Sequence, residues 1–141
     1  MAGERYSTET ARSGYPTLLC DGRALHSRFD PVKEARRAAG GVPPKAAIVI
    51  LAGLGLGYVA EALMEAAPDR RLIIAEADPA LPAVAGNTRD LSKLLADPAV
   101  SLLVGGTPGD IQELLRGGPA GAEIHYLEWK PATAADPEWY T

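Results

Sequence analysis

Apolar positions follow two rhythms along this chain. Ile48-Val49-Ile50-Leu51 and Leu72-Ile73-Ile74 are unbroken runs rich in β-branched residues, and Val100–Val104 is apolar but for Ser101, as in strands buried on both faces. Between them, apolar residues recur at helical spacing: Val59, Ala62, Leu63 and Ala66, then Leu91, Leu94 and Leu95, then Ile111, Leu114 and Leu115. Pro68 closes the first of these helices and Gly117-Gly118 the last. Asp78-Pro79 reads as an N-cap and first helical residue, and Pro82 shortens or bends the helix that follows. A fourth strand is expected from about Glu123 to Glu128. This alternation from residue 46 onward predicts parallel strands at 46–52, 71–76, 100–104 and 123–128, joined by right-handed crossovers.

Before residue 46 the pattern differs. The first dozen residues are polar and suggest a flexible N-terminus, 1–14. Over 15–30, short apolar runs flank Asp21-Gly22, a two-residue hairpin signal. Asp30-Pro31 then opens a helix with Val32, Ala35 and Ala39 on its apolar face, and Gly40-Gly41 ends it. The fold expected is α/β: a Rossmann-like, mostly parallel sheet of about four strands with flanking helices over 31–130, preceded by a β-hairpin. Residues 131–141 read as a tail, or as a linker to a further domain, with Trp139 and Tyr140 able to pin it.

With 141 residues, 47% of them hydrophobic, the chain is sized for one domain with a real core. The net charge of −4 argues against nucleic-acid binding, since no cluster of Lys and Arg could neutralise a run of phosphates. Arg36-Arg37 and Arg70-Arg71 read as isolated solvated pairs. The single cysteine, Cys20, excludes an intramolecular disulfide and reads as buried. The apolar stretch around 46–60 contains three glycines and is too short to span a membrane. With polar first residues, this points to a cytoplasmic protein, with a homo-oligomer allowed.

Candidate chemistry centres on Gly53-Leu54-Gly55-Leu56-Gly57-Tyr58, where the first long strand meets a helix. Glycines there let main-chain N–H groups approach an anionic or polar ligand at a helix N-terminus. Glu76 ends the next strand, nineteen residues after Gly57, where a carboxylate can accept hydrogen bonds from ribose hydroxyls. Glycines at relative positions 1, 3 and 5 depart from the dinucleotide fingerprint, which wants 1, 3 and 6. The turn more closely resembles that of S-adenosylmethionine-dependent methyltransferases, although Leu51 stands where such turns carry an acid. An empty turn, tight only for packing, is the alternative. Asp78 is either a ligand contact or a cap. His26, Ser27 and Arg28 should overlook the same crevice, Arg28 for a phosphate or carboxylate and His26 for proton transfer near neutral pH. Their alternative is a structural corner in which Asp30 caps, Phe29 packs and His26 satisfies a backbone carbonyl. Glu128, Trp129 and Lys130 end the fourth strand near the crevice. No Ser/His/Asp spacing, metal-ligand cluster or Walker lysine is evident.

Leu25-His26-Ser27-Arg28-Phe29-Asp30-Pro31 with Glu34-Ala35, followed by the glycine turn, Ile73–Leu81 and Asp90–Gly105, resembles the front domain of motility accessory factor (Maf) proteins, bacterial flagellin glycosyltransferases. The resemblance covers roughly residues 15–105. It implies a Rossmann-like domain placed before a larger transferase domain that holds the sugar-transfer centre. The chain would then bind a nucleotide, a nucleotide sugar or another polar ligand, or hold the catalytic domain in place, without catalysing transfer alone; S-adenosylmethionine is the cofactor of the methyltransferase-type alternative.

Overall fold

A computed structural model describes residues 5–115 and 123–140. The chain opens with a three-stranded antiparallel sheet of β1 (Tyr6–Thr10), β2 (Pro16–Cys20) and β3 (Arg23–Ala24). The β2–β3 turn is the predicted Asp21-Gly22 pair, with φ of 50° and 82°. Both positive angles are what a two-residue hairpin turn requires. The expectation of an unstructured N-terminus fails over Tyr6–Thr10. Tyr6 to Thr10 pair with Cys20 to Pro16 through the main chain, while Ser7 to Thr10 stay exposed. An edge strand held by backbone bonds leaves no apolar signature to read.

Next come α1 (Pro31–Gly40), β4 (Ile48–Ala52), α2 (Tyr58–Ala66), β5 (Arg71–Glu76), α3 (Leu81–Thr88), α4 (Ser92–Ala96), β6 (Val100–Val104), α5 (Pro108–Leu115), β7 (Ile124–Glu128), α6 (Lys130–Thr133) and α7 (Pro137–Tyr140). The four long strands form a parallel sheet in the order β6-β5-β4-β7. This is the Rossmann-like α/β arrangement expected. Strand order reverses between β4 and β7, so their carboxyl ends flank the crevice where open α/β sheets take ligands.

Val49 and Leu51 of β4 and Leu72 and Ile74 of β5 share one face and join Ala35, Ala39, Val59 and Leu63 of α1 and α2 in the core. The other face is less covered: Tyr126, in register with Ile50, is 55% exposed.

Two details depart from the sequence reading. Asp78 does not cap α3 directly. Its Oδ1 accepts the Ala80 N–H at 2.9 Å, forming a turn before a helix that starts at Leu81. Pro82 then falls in the first helical turn, where a missing N–H costs nothing. Arg70 is buried rather than solvated; its guanidinium donates to Leu63 O at 3.3 Å and Pro43 O at 3.4 Å. Gly117-Gly118 lie outside the described residues.

Candidate functional site

The turn from β4 into α2 needs its three glycines. Gly53, Gly55 and Gly57 have φ of 102°, 53° and 87°, a region costly to side chains. Leu54 and Leu56 between them are buried, so the turn folds into the core instead of standing clear of it.

Each glycine is met by a side chain of the same protein. A Cβ on Gly53 would lie 2.6 Å from Ala132 Cβ, and one on Gly57 would lie 2.8 Å from Leu91 Cδ2. On Gly55 it would collide with His26 Nε2. The amides are engaged too. Leu54 N–H donates to Glu76 Oε1 at 3.0 Å, and Leu56 N–H donates to His26 Nε2 at 2.8 Å. The second oxygen of Glu76 accepts the Asp78 N–H at 2.8 Å. Glu76 thus points at the glycine turn, as its position in the sequence suggested, but it is buried and bonded to main chain. Burial raises its pKa, against the lowering effect of those two bonds.

His26 is the centre of this corner. Its ring stacks on Trp129 at 5.9 Å and meets Tyr58 edge-on at 5.1 Å. Trp129 follows β7 directly, is buried, donates Nε1–H to Leu25 O at 2.8 Å and brings its carbonyl and Cβ beside Gly53. Tyr58 OH donates to Pro16 O, and the Arg89 guanidinium lies 3.9 Å from the Tyr58 ring centre while donating to Leu56 O at 2.8 Å. Because Nε2 accepts, the imidazole proton must sit on Nδ1. Nδ1 is buried without a partner among the described residues. Burial, aided by Arg89, lowers the His26 pKa to about 3. The ring is therefore neutral at neutral pH, which corrects the expectation of proton transfer there.

Ser27 faces α1 rather than the crevice. Its N–H donates to Glu34 Oε1 at 2.8 Å, and its Oγ accepts from Phe29 N–H and Asp30 N–H. Asp30 caps α1 by accepting the Lys33 N–H at 3.0 Å. Arg28 is exposed and pairs with Glu9 at 3.3 Å. Phe29, expected to pack, is 67% exposed.

Tyr140 pins the tail as one sequence reading had it, but the Arg5, Tyr6 and Asp136 contacts around Asp78 escaped that reading. Asp78 Oδ2 accepts Tyr6 OH at 2.6 Å and Arg5 Nη1–H at 3.3 Å, and Arg5 also reaches Asp136 at 3.3 Å. Ala77 N–H donates to Tyr140 OH at 3.0 Å. Both ends of the described chain are thereby tied over the carboxyl end of β5. No local pattern announces partners 72 and 131 residues apart.

A cavity of about 240 Å³ borders the turn, lined by Tyr15, Tyr58, Glu61 and Arg89, and others lie beyond it. One of about 450 Å³ is lined by Met64, Lys93, Leu94 and Asp97. Another, about 140 Å³, lies over the less covered sheet face between Ile50, Ala75, Tyr126 and Trp139. Among the described residues no cluster of His, Cys, Asp and Glu could hold a metal, and no helix is long and apolar enough to cross a membrane.

No family model matches the chain. It is 30% identical over 146 residues to an uncharacterized protein of Treponema pallidum, covering 96% of this chain and 47% of that relative. The chain thus spans about half the length of the curated relative it matches. Among solved structures it is similar to TYW2 of P. horikoshii in complex with MeSAdo and to a transferase of Pyrococcus horikoshii. Each has a TM-score of 0.41 and 19% identity, with coverage of 71% of this chain and 36% of the other.

Proposed function

We propose that this chain is a non-catalytic, cytoplasmic Rossmann-like scaffold domain of a Maf-type transferase, and that its glycine turn is a packing joint. The single observation that carries the packing joint is the seating of His26 on Gly55 and the Leu56 amide; the Maf-type assignment rests on the sequence resemblance alone, centred on residues 25–35. The amides of Leu54 and Leu56 are taken by Glu76 and His26, and the open faces of the glycines by Ala132, His26 and Leu91. A neutral, buried histidine and a carboxylate bound to two amides leave no acid–base pair for catalysis. In this reading sugar transfer belongs to a separate transferase domain, as the Maf resemblance implies.

A second reading, an S-adenosylmethionine-dependent methyltransferase-type domain, is favoured by one observation. The Glu76 carboxylate lies against the glycine turn, on the strand next to β4. In that reading His26 and Trp129 give way to the cofactor.

Calorimetric titration separates the two. The scaffold reading expects no heat of binding with S-adenosylmethionine, nucleoside monophosphates or nucleotide sugars. Micromolar binding of S-adenosylmethionine that Glu76→Gln abolishes would establish the second reading, and micromolar binding of a nucleotide sugar would overturn the packing joint.

A further inference from the structure

Side chains of β4 and β5 alternate between two faces of the sheet. Val49, Leu51, Leu72 and Ile74 meet α1 and α2, so Ala52 and Ala75 lie on the opposite face. These two alanines are register partners near the carboxyl ends of their strands. Two small side chains there, with Gly106 beyond β6, leave room that larger residues would fill. The room is the cavity of about 140 Å³, which Tyr126, Trp139 and Tyr140 also line.

Pinning the tail accounts for only one of these three aromatics. Tyr140 OH accepts the Ala77 N–H. Tyr126 stands on the edge strand β7 and is more than half exposed, and Trp139 lies in α7, which has no fully buried residue. Trp139 and Tyr140 meet at 84°, with ring centres 4.7 Å apart. A flat guest stacks best between parallel walls, whereas a corner suits a compact, rounded group. Among the described lining residues no side chain is charged, so an anion finds no base there. Aromatic faces attract a cation without needing a carboxylate, most of all one that is easily desolvated. Burial and then the Glu128 carboxylate raise the Tyr126 pKa, and burial and then Glu76 raise that of Tyr140. The charges acting on both rings are therefore negative.

We infer that this cavity is a binding site for a small quaternary ammonium head group, held against Tyr126, Trp139 and Tyr140. The head group is either free, as in choline, or the end of a trimethylated lysine side chain. Because the cavity lies on the sheet face away from α1 and α2, the inference is independent of both readings of the glycine turn.

The test is titration of the full chain with choline chloride at constant ionic strength, followed by amide and indole chemical shifts. Saturable binding in the millimolar range is expected, with shifts confined to the residues that line the cavity. The alcohol 3,3-dimethylbutan-1-ol has the same shape with carbon in place of the charged nitrogen, and it should bind at least about tenfold more weakly. Tyr126→Leu should weaken choline binding about tenfold, and Tyr126→Phe should leave it unchanged, because the ring and not the hydroxyl makes the contact. Position 126 is exposed, so both variants should keep the wild-type circular dichroism and melting, and a loss of binding is not a loss of fold. A peptide carrying trimethyllysine, titrated in parallel, separates the two sources: tighter binding than choline with the same dependence on Tyr126 assigns the site to a modified protein, and weaker binding assigns it to a free metabolite. The inference is overturned by no saturation at hundreds of millimolar choline, by shifts elsewhere, by equal binding of the uncharged isostere, or by binding that Tyr126→Leu leaves unchanged. Indole binding more tightly than choline would also overturn it, since the cavity would then be a slot for flat rings.

Discussion

His26 occupies the space that a side chain at Gly55 would need, and its Nε2 accepts the N–H of the next residue, Leu56. The loop before α1 and the turn before α2 are thus one joint. The missing Cβ of one residue is the seat for the ring of another, and the hydrogen bond fixes the ring's tautomer.

That relationship predicts unequal costs for two glycines with similar backbone. Gly55 (φ 53°) meets His26, whereas a Cβ on Gly105 (φ 62°) would meet nothing within 4 Å. Gly105→Ala should cost only the left-handed strain, about 1–2 kcal/mol. Gly55→Ala should cost clearly more by urea unfolding. In the double variant with His26→Ala the excess at position 55 should shrink, giving a coupling energy between the sites of about 1 kcal/mol or more. Equal costs at positions 55 and 105 would refute the joint.

Acid should weaken the joint. His26 binds its proton at about 6.5 in the unfolded chain but only near 3 when folded. Between those values the unfolded state holds more protons, so stability falls as the pH is lowered. The contribution is full above pH 6.5 and is lost as pH drops to about 3. Glu76 and Glu34, whose pKa values are raised by burial, act in the opposite sense, since their contribution is lost as pH rises. The histidine is therefore isolated by comparison with His26→Gln, which keeps an acceptor for Leu56 N–H but does not titrate. Unfolding curves from pH 7 to 3 should show wild type losing its advantage over the variant across that window.

Trp129→Phe should keep most of the crevice filled while leaving Leu25 O without its donor. A buried carbonyl left unpaired costs about 1–3 kcal/mol. Denaturant unfolding should show a loss in that range, with an unchanged slope.

Arg5→Ala should loosen the two ends of the described chain more than the sheet. Hydrogen exchange should quicken in β1 and around α7, while β4 and β5 stay protected. Tyr6→Phe should cost about 1 kcal/mol, and Asp78→Ala more, because Asp78 also accepts from Arg5 and Ala80.

Much of this architecture was legible locally. Buried parallel strands are continuous apolar runs, so β4 and β5 stood out, with β6 apolar but for Ser101, and Asp21-Gly22 and Asp30-Pro31 declared a hairpin and a helix start by their own backbone preferences. β1 was not legible, because its pairing uses main-chain groups that every residue carries. Arg70 read as solvated because its partners, carbonyls of Leu63 and Pro43, leave no mark in the sequence.

The sequence by itself determined that three glycines would stand between a strand and a helix, that Glu76 would end the adjacent strand, and that His26 would precede a capped helix. These follow from torsional preference and apolar periodicity, which act over a few residues. Only the tertiary structure decided what faces the glycines. His26 lies 30 residues from Leu56, and Trp129 lies 104 from Leu25. Contacts over such separations depend on the chain's path through space, and the same glycine turn accommodates a ligand or the protein's own rings equally well until that path is known.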